Sequence, residues 1–168
     1  MKTSIFNLSF LFLLSTILFS CSAEDDGIYF NENKEVVNTA SVSYSDIEYE
    51  ILDLVNAHRA DLGLTTLVNL NVISVEADVH TDYMIKTNSV NHDNFNKRAE
   101  NLMTNAGAKI VGENVAYGFS SAQGVFNGWL KSDEHRKIIE NPSYTHFGIS
   151  TNTNSQNRNY FTQIFIEK

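Results

Sequence analysis

The sequence of 168 residues contains one cysteine, Cys21, and one proline, Pro142. A single cysteine excludes an internal disulfide, so the hydrophobic core must stabilise the fold unaided, which a chain of this size can do. Basic residues are few, with 12 Lys and Arg against 20 Asp and Glu, for a formal net charge of −8. Because a phosphate backbone is bound by clustered basic side chains, this balance argues against a nucleic-acid partner.

The sequence also lacks an apolar run long enough for a membrane-spanning helix, which needs about 20 residues. The run from Ile5 to Phe19 is shorter and follows Lys2, a combination that predicts an export signal over residues 1–20. It ends at Leu18-Phe19-Ser20-Cys21, which resembles a bacterial lipobox. We therefore expect Cys21 to be lipidated and to become the N-terminus after cleavage. The alternative is a plain secretory signal with an incidental cysteine.

Residues 21–44 are expected to form the lipidated cysteine and a flexible acidic tether. Residues 22–44 show no helical stripe and are rich in Asn, Glu and Ser. The acidic run Glu24-Asp25-Asp26 resembles the surface-export signal of Bacteroidetes-type lipoproteins, although a solvated linker has the same composition. These features predict an exported protein that is lipid-anchored to a bacterial membrane, with the outer membrane favoured and the choice between periplasmic and surface display left open.

One folded domain is expected over residues 45–168. Ser45 and Glu48 fit a capping box, and the apolar spacing that follows predicts a helix ending near Gly63. The later elements are expected to be helices over 70–87 and 97–106, an extended segment over 109–118, a helix that opens with a capping box of Ser120 and Gln123, a short helix from Ser132 to about Ile139, and strands over His146–Thr153 and Asn159–Glu167. Helices followed by an antiparallel pair of strands indicate an α+β layered domain.

Three residues stand out as candidates for chemistry. His92 lies in a polar turn, Glu113 interrupts an apolar stretch and therefore needs a partner, and His135 follows Asp133 and Glu134 near a helix start. Two imidazoles and a carboxylate can form a divalent-metal site, for example for Zn²⁺, or a hydrogen-bonded structural cluster. The remaining histidines are assigned to structural positions, namely His58, His80 and His146.

The sequence resembles the CAP superfamily, which comprises the cysteine-rich secretory proteins, antigen 5 and the plant pathogenesis-related class 1 proteins, and whose domain is also called the SCP domain. The match covers about residues 46–168 and most closely follows the bacterial lipoprotein branch. The segments that carry it are Leu54-Val55-Asn56-Ala57-His58-Arg59, His92, Gly112-Glu113-Asn114-Val115-Ala116, the residues Trp129, Ser132, His135, Arg136, Ile139, Pro142, Tyr144, Phe147 and Gly148, and Tyr160-Phe161-Thr162-Gln163-Ile164-Phe165.

The resemblance implies a three-layer α-β-α sandwich with a small, mostly antiparallel sheet and a cleft. In the family, two histidines and two acidic residues meet in that cleft and in some members hold a divalent metal. His92, Glu113 and His135 match three of these places, and Asn114 adjoins them. Eukaryotic members place the second acid and the second histidine at positions that are Ser132 and Tyr160 here, so His135 supplies the second histidine in the bacterial manner. Asp133 or Glu134 could supply the missing acid, although neither matches the motif.

Two functions follow from this resemblance. The first is a monomeric binding module for a lipid, a glycan or a cell-wall component such as peptidoglycan. The second is a metal-dependent hydrolase of peptides or cell-wall material, in which His92 and His135 hold Zn²⁺ or another divalent metal and Glu113 is a ligand or general base. We favour binding over catalysis, because the sequence shows no nucleophile and no compact zinc-hydrolase motif.

Overall fold

The computed structural model describes residues 42–168, so the predicted signal peptide, Cys21 and most of the predicted tether lie outside the described residues. The elements are the helices α1 (Asp46–Asp61), α2 (Asn71–Thr87), α3 (Phe95–Ala106), α4 (Ala122–Lys131) and α5 (Asp133–Ile139), and the strands β1 (Val68–Asn69), β2 (Ile110–Tyr117), β3 (His146–Thr153) and β4 (Asn159–Glu167). Within residues 42–168, no helix combines the length and the apolar character that crossing a bilayer requires.

The four strands form one sheet in the order β1-β3-β4-β2. β4 pairs antiparallel with both β2 and β3, while the two residues of β1 pair parallel with the start of β3. β2 is therefore an outer strand over its whole length. This position matters for function, because β2 carries Glu113.

Helices cover both faces of the sheet, which confirms the predicted α-β-α sandwich. Helices α1, α4 and α5 pack on one face, where Trp129, Phe161 and Phe165 belong to the larger core cluster. Helices α2 and α3 pack on the other face, where Ile73, Leu102 and Ile164 belong to a second core cluster. Because both faces are covered, β4 is buried along nearly all of its length.

Most predicted element boundaries agree with the structure to within two residues. The predicted cap of α4 was wrong by one residue. Ser121, and not Ser120, caps the helix, since the Ser121 Oγ accepts the Gly124 N–H at 3.2 Å. Tyr44, which the sequence assigned to the tether, packs against the core and its hydroxyl contacts the Ser74 Oγ at 2.8 Å. Ordered contacts thus begin before Ser45.

His58 was expected to be a structural residue on the apolar face of α1, but the fully buried polar side chain there is that of its neighbour Arg59. Arg59 is 0% exposed and donates hydrogen bonds to four backbone carbonyls, those of Thr65, Ile139, Asn141 and Tyr144. His58 lies partly exposed, and its Nε2 contacts the Glu140 carboxylate at 2.9 Å. Arg59 therefore ties α1 to the segment that follows α5.

Candidate functional site

The candidate site lies along the open edge of β2, between the two helical layers. Glu113 points from β2 toward the α2–α3 layer, and its side chain is 1% exposed. His92, in the turn between α2 and α3, is half-exposed, and its Nδ1 lies 2.8 Å from the Glu113 Oε1. The structure thus brings together the first two of the three residues predicted from the sequence.

The principal partner of Glu113 is Arg98 of α3, which the sequence reading did not identify. The Arg98 Nε donates to Oε2 and a terminal nitrogen donates to Oε1, each at 2.8 Å. The other terminal nitrogen donates to the Asp93 carbonyl at 2.6 Å, so the guanidinium also holds the His92 turn. Such a two-pronged contact with both partners buried is among the stronger polar interactions in proteins.

These contacts keep Glu113 ionised. Burial by itself would raise the pKa of the Glu113 carboxyl, but the hydrogen bonds from His92 and Arg98 and the positive charge of Arg98 outweigh it, so the pKa lies below its usual range. Because the carboxylate only accepts, the His92 Nδ1 is the donor in their contact. The His92 Nε2 then remains for a ligand on the exposed side of the ring.

His80 of α2 forms the buried floor of this network. It is 1% exposed, its Nε2 donates to the Asn91 carbonyl at 2.8 Å, and the same nitrogen lies 3.9 Å from the Glu113 Oε1. Burial is the main reason that the pKa of His80 lies below its usual value, so the ring stays neutral near pH 7. The structural assignment of His80 agrees with its burial, but its contact with the site was not foreseen.

His135, the third residue predicted for the site, lies in the opposite helical layer and makes no hydrogen bond to His92 or Glu113. It lies on α5, where the Asn114 Nδ2 donates to the His135 carbonyl at 3.2 Å. Asn114 is fully buried and faces α5, so it positions that helix without lining the cleft. Burial is the main reason that the pKa of the His135 imidazole lies below its usual value, and its Nδ1 is buried without a hydrogen-bond partner within residues 42–168. The His135 ring does not line the cleft beside His92 and Glu113.

Neither Asp133 nor Glu134 joins the Glu113 network. Asp133 pairs with Arg136 at 2.7 Å and Glu134 pairs with Lys137 at 2.8 Å, both within α5. Their side chains are 74% and 82% exposed. The charged partner of Glu113 is Arg98.

A cleft of about 340 Å³ opens at this edge. Its floor is β2 from Val111 to Glu113, and its walls are His92 and Phe95 on one side and Ile138 and Tyr144 on the other. Gly112 makes this shape possible, since a Cβ there would collide with the Tyr144 hydroxyl. The cleft is thus mainly apolar, with an imidazole and a buried carboxylate at one end.

The residues do not fit a zinc ion in this arrangement. Both oxygens of Glu113 are engaged by a guanidinium, and a cation bound to them would stand beside that positive charge. Within the described residues 42–168, no group of three or more His, Cys, Asp or Glu side chains is arranged to hold a metal ion. His92, Glu113 and Arg98 form a hydrogen-bonded cluster instead, which His135 does not join. The predicted metal site remains a prediction for titration to test.

Comparisons with known proteins agree on the fold. The model of the cysteine-rich secretory protein (CAP) family matches residues 52–165. Two Bacillus subtilis proteins are similar in sequence: the uncharacterized membrane protein YlbC, 32% identical over 72% of this chain and 34% of its own length, and the uncharacterized protein YkwD, 30% identical over 82% of this chain and 53% of its own length. The chain therefore spans between about a third and a half of the curated relatives it matches.

Solved structures with the same fold come from two further bacteria. An extracellular protein containing an SCP domain from Bacillus anthracis superposes with a TM-score of 0.64 at 26% identity, over 76% of this chain and 45% of that one. An outer surface protein from Borrelia burgdorferi superposes with a TM-score of 0.66 at 17% identity, over 76% of this chain and 99% of that one. The family match over most of the described residues, together with these relatives, shows that the chain belongs to the cysteine-rich secretory protein (CAP) family.

Proposed function

We propose that this chain is an exported, lipid-anchored binding module that takes a ligand into the cleft along β2. The observation that carries the proposal is the cleft itself, an apolar trough with polar groups confined to one end. Ligand sites are typically concave, mostly apolar and equipped with a few polar groups that fix orientation. A lipid, a glycan or a cell-wall component fits this description.

Binding is favoured over catalysis by the state of Glu113. A general base works best when its pKa lies near the working pH, whereas the pKa of Glu113 is lowered and both of its oxygens are engaged. The exposed face of His92 is free to orient a ligand by a hydrogen bond. For the alternative of a metal-dependent hydrolase, zinc titration of the wild type and of His92→Ala is the test, and tight binding lost in the variant would revive it.

The extracytoplasmic setting rests on the predicted signal and on the relatives. One relative is named a membrane protein, and the two structural relatives are named an extracellular protein and an outer surface protein. Cys21→Ala should move the protein from the membrane fraction to the soluble fraction, because lipidation at Cys21 is the anchor we propose. A variant that still sediments with membranes after a salt wash would contradict the anchor.

A ligand screen with a matched pair of variants tests the cleft. Oleate, chitotetraose and peptidoglycan fragments are titrated against the wild type, Ile138→Asp and Val79→Asp. Ile138 lines the cleft, whereas Val79 is 63% exposed on α2. We expect binding that is lost in Ile138→Asp and kept in Val79→Asp. If both variants bind as the wild type does, the ligand site lies elsewhere.

A further inference from the structure

The outer edge of β2 presents backbone groups that face the cleft. Gly118, just beyond β2, donates its N–H to the Asn159 carbonyl at 2.8 Å and so continues the ladder with β4. Since backbone groups alternate in direction along an antiparallel strand, the even-numbered residues of β2 face β4 and the odd-numbered ones face outward. The Val115 carbonyl agrees with this alternation, because it accepts the Trp129 indole N–H at 3.2 Å from outside the ladder.

The opposite edge of the sheet is protected along β3. β1 pairs with only the first two residues of β3. Beyond them, the Ile149 N–H donates to the Ser74 Oγ at 3.1 Å and the Thr151 N–H donates to the Glu48 carboxylate at 2.6 Å. Side chains thus occupy donors that would otherwise invite another strand, which is how proteins commonly protect sheet edges.

Val111 and Glu113 have no comparable protection. Their outward N–H and C=O groups have no sheet neighbour, because β2 is the last strand, and within residues 42–168 no side chain or loop donates to or accepts from them. Glu113 is nevertheless only 5% exposed. Val111 is partly buried. Because buried backbone groups are nearly always paired, the unpaired N–H and C=O of Glu113, continued along the strand by those of Val111, indicate a partner that supplies the missing hydrogen bonds.

We propose that the ligand of this cleft is an extended peptide segment that adds to β2 as a further strand. The inference rests on the proposed binding function and names its ligand class. Val111 and Glu113 present two N–H and two C=O groups, repeated at two-residue spacing, or about 6.6–6.8 Å, which is the repeat of an extended backbone. A lipid chain would leave all four groups unpaired, and a sugar ring does not repeat donor and acceptor at this spacing.

The two walls define the side chains that such a peptide carries. Successive side chains of an added strand point to opposite sides, one toward His92 and Phe95 and the next toward Ile138 and Tyr144. Both walls are largely apolar, so consecutive apolar residues fit. An extended peptide is favoured over a folded second copy of this chain, because a cleft of about 340 Å³ has the size for a short segment and not for the edge of a whole domain.

Val111→Pro is the most direct test of this inference. Proline removes the outward N–H of Val111, and at an edge strand it breaks no ladder bond. The probe is the fluorescein-labelled peptide acetyl-Lys-Val-Leu-Val-Lys-amide, titrated into the full-length protein in lipid nanodiscs, with empty nanodiscs as blank. We expect saturable binding with the wild type and with the matched control Val111→Thr, and at least tenfold weaker binding with Val111→Pro. Hydrogen exchange of residues 110–117 should slow when the peptide is bound.

Other outcomes separate this inference from the proposed function. Unchanged affinity in a folded Val111→Pro overturns the inference. If that variant does not fold, the same probe with every backbone nitrogen methylated replaces it, and binding equal to the parent peptide overturns the inference. If the peptide fails while oleate or chitotetraose binds and Ile138→Asp abolishes that binding, the peptide is wrong and the binding function stands. If none of the probes binds, both fail. Concentration-dependent dimers that block the peptide would assign the edge to a second copy instead.

Discussion

The buried pair of Arg98 and Glu113 gives the sharpest prediction for stability. Arg98→Ala removes the two hydrogen bonds to the Glu113 carboxylate and the one to the Asp93 carbonyl. The carboxylate then remains buried, with His92 as its main partner. Removing one partner of a buried ion pair costs about 3–5 kcal/mol, because the other charge is left without compensation.

The assay is urea unfolding of residues 42–168, followed by the fluorescence of Trp129, the single tryptophan of the chain. With a urea dependence of about 1–3 kcal/mol per molar, the unfolding midpoint of Arg98→Ala should fall by at least about 1 M. Arg136→Ala is the matched control, since Arg136 pairs with an Asp133 side chain that is 74% exposed. This control should leave the midpoint unchanged within error.

A double variant separates the pair from simple packing. Arg98→Met with Glu113→Leu replaces both charges by apolar side chains of similar size and should cost less than Arg98→Ala alone, because no unpaired charge remains. The lowered pKa of Glu113 adds a pH signature: its contribution is present above the unfolded pKa of about 4.3 and is lost as pH falls through the lower folded value. If the urea unfolding midpoint falls no further for Arg98→Ala than for Arg136→Ala, the buried ion pair does not stabilise the fold as argued.

Three further predictions concern the core and acid stability. Trp129→Ala should lower the free energy of unfolding by about 3–5 kcal/mol, since the ring is 2% exposed and its N–H bonds the Val115 carbonyl; a loss below about 1 kcal/mol in urea unfolding would contradict its burial. Gly148→Ala should destabilise the fold, because its Cβ would overlap the backbone of α2, and an unchanged melting temperature would contradict that close approach. Burial lowers the pKa values of His80 and His135 in the folded state, so below about pH 6.5 the unfolded chain binds more protons than the folded one and stability should decline. Equal melting temperatures at pH 7.5 and 5.5 would contradict this.

Local chemistry was sufficient to predict most of the secondary structure. The α1 start follows from Ser45 and Glu48, whose carboxylate accepts the Ser45 N–H at 2.8 Å, because a capping box depends on residues three apart. The paired strands β3 and β4 were recognisable from their composition and the polar loop between them. The two-residue β1 was not predicted, because its strand character comes only from pairing with His146 and Phe147.

The candidate site was predictable only in part. His92 and Glu113 were chosen because a charged residue in an apolar stretch needs a partner and because both match family motifs. The sequence did not reveal that Arg98, fifteen positions from Glu113, is that partner. Its signal was weak, since one arginine on an amphipathic helix is ordinarily solvated, and only the packing of α3 against the sheet turns it inward.

Helix periodicity, caps and motifs are properties of neighbouring positions, so the elements, the family and the pairing of His92 with Glu113 could be predicted from the order of residues alone. Three features could not: which cation neutralises Glu113, that His135 on α5 makes no hydrogen bond to the Glu113 network, and that β2 is an outer strand with Val111 and Glu113 facing a cleft. Each of these depends on strand order and layer packing, which bring together residues far apart in the chain and which no local pattern encodes.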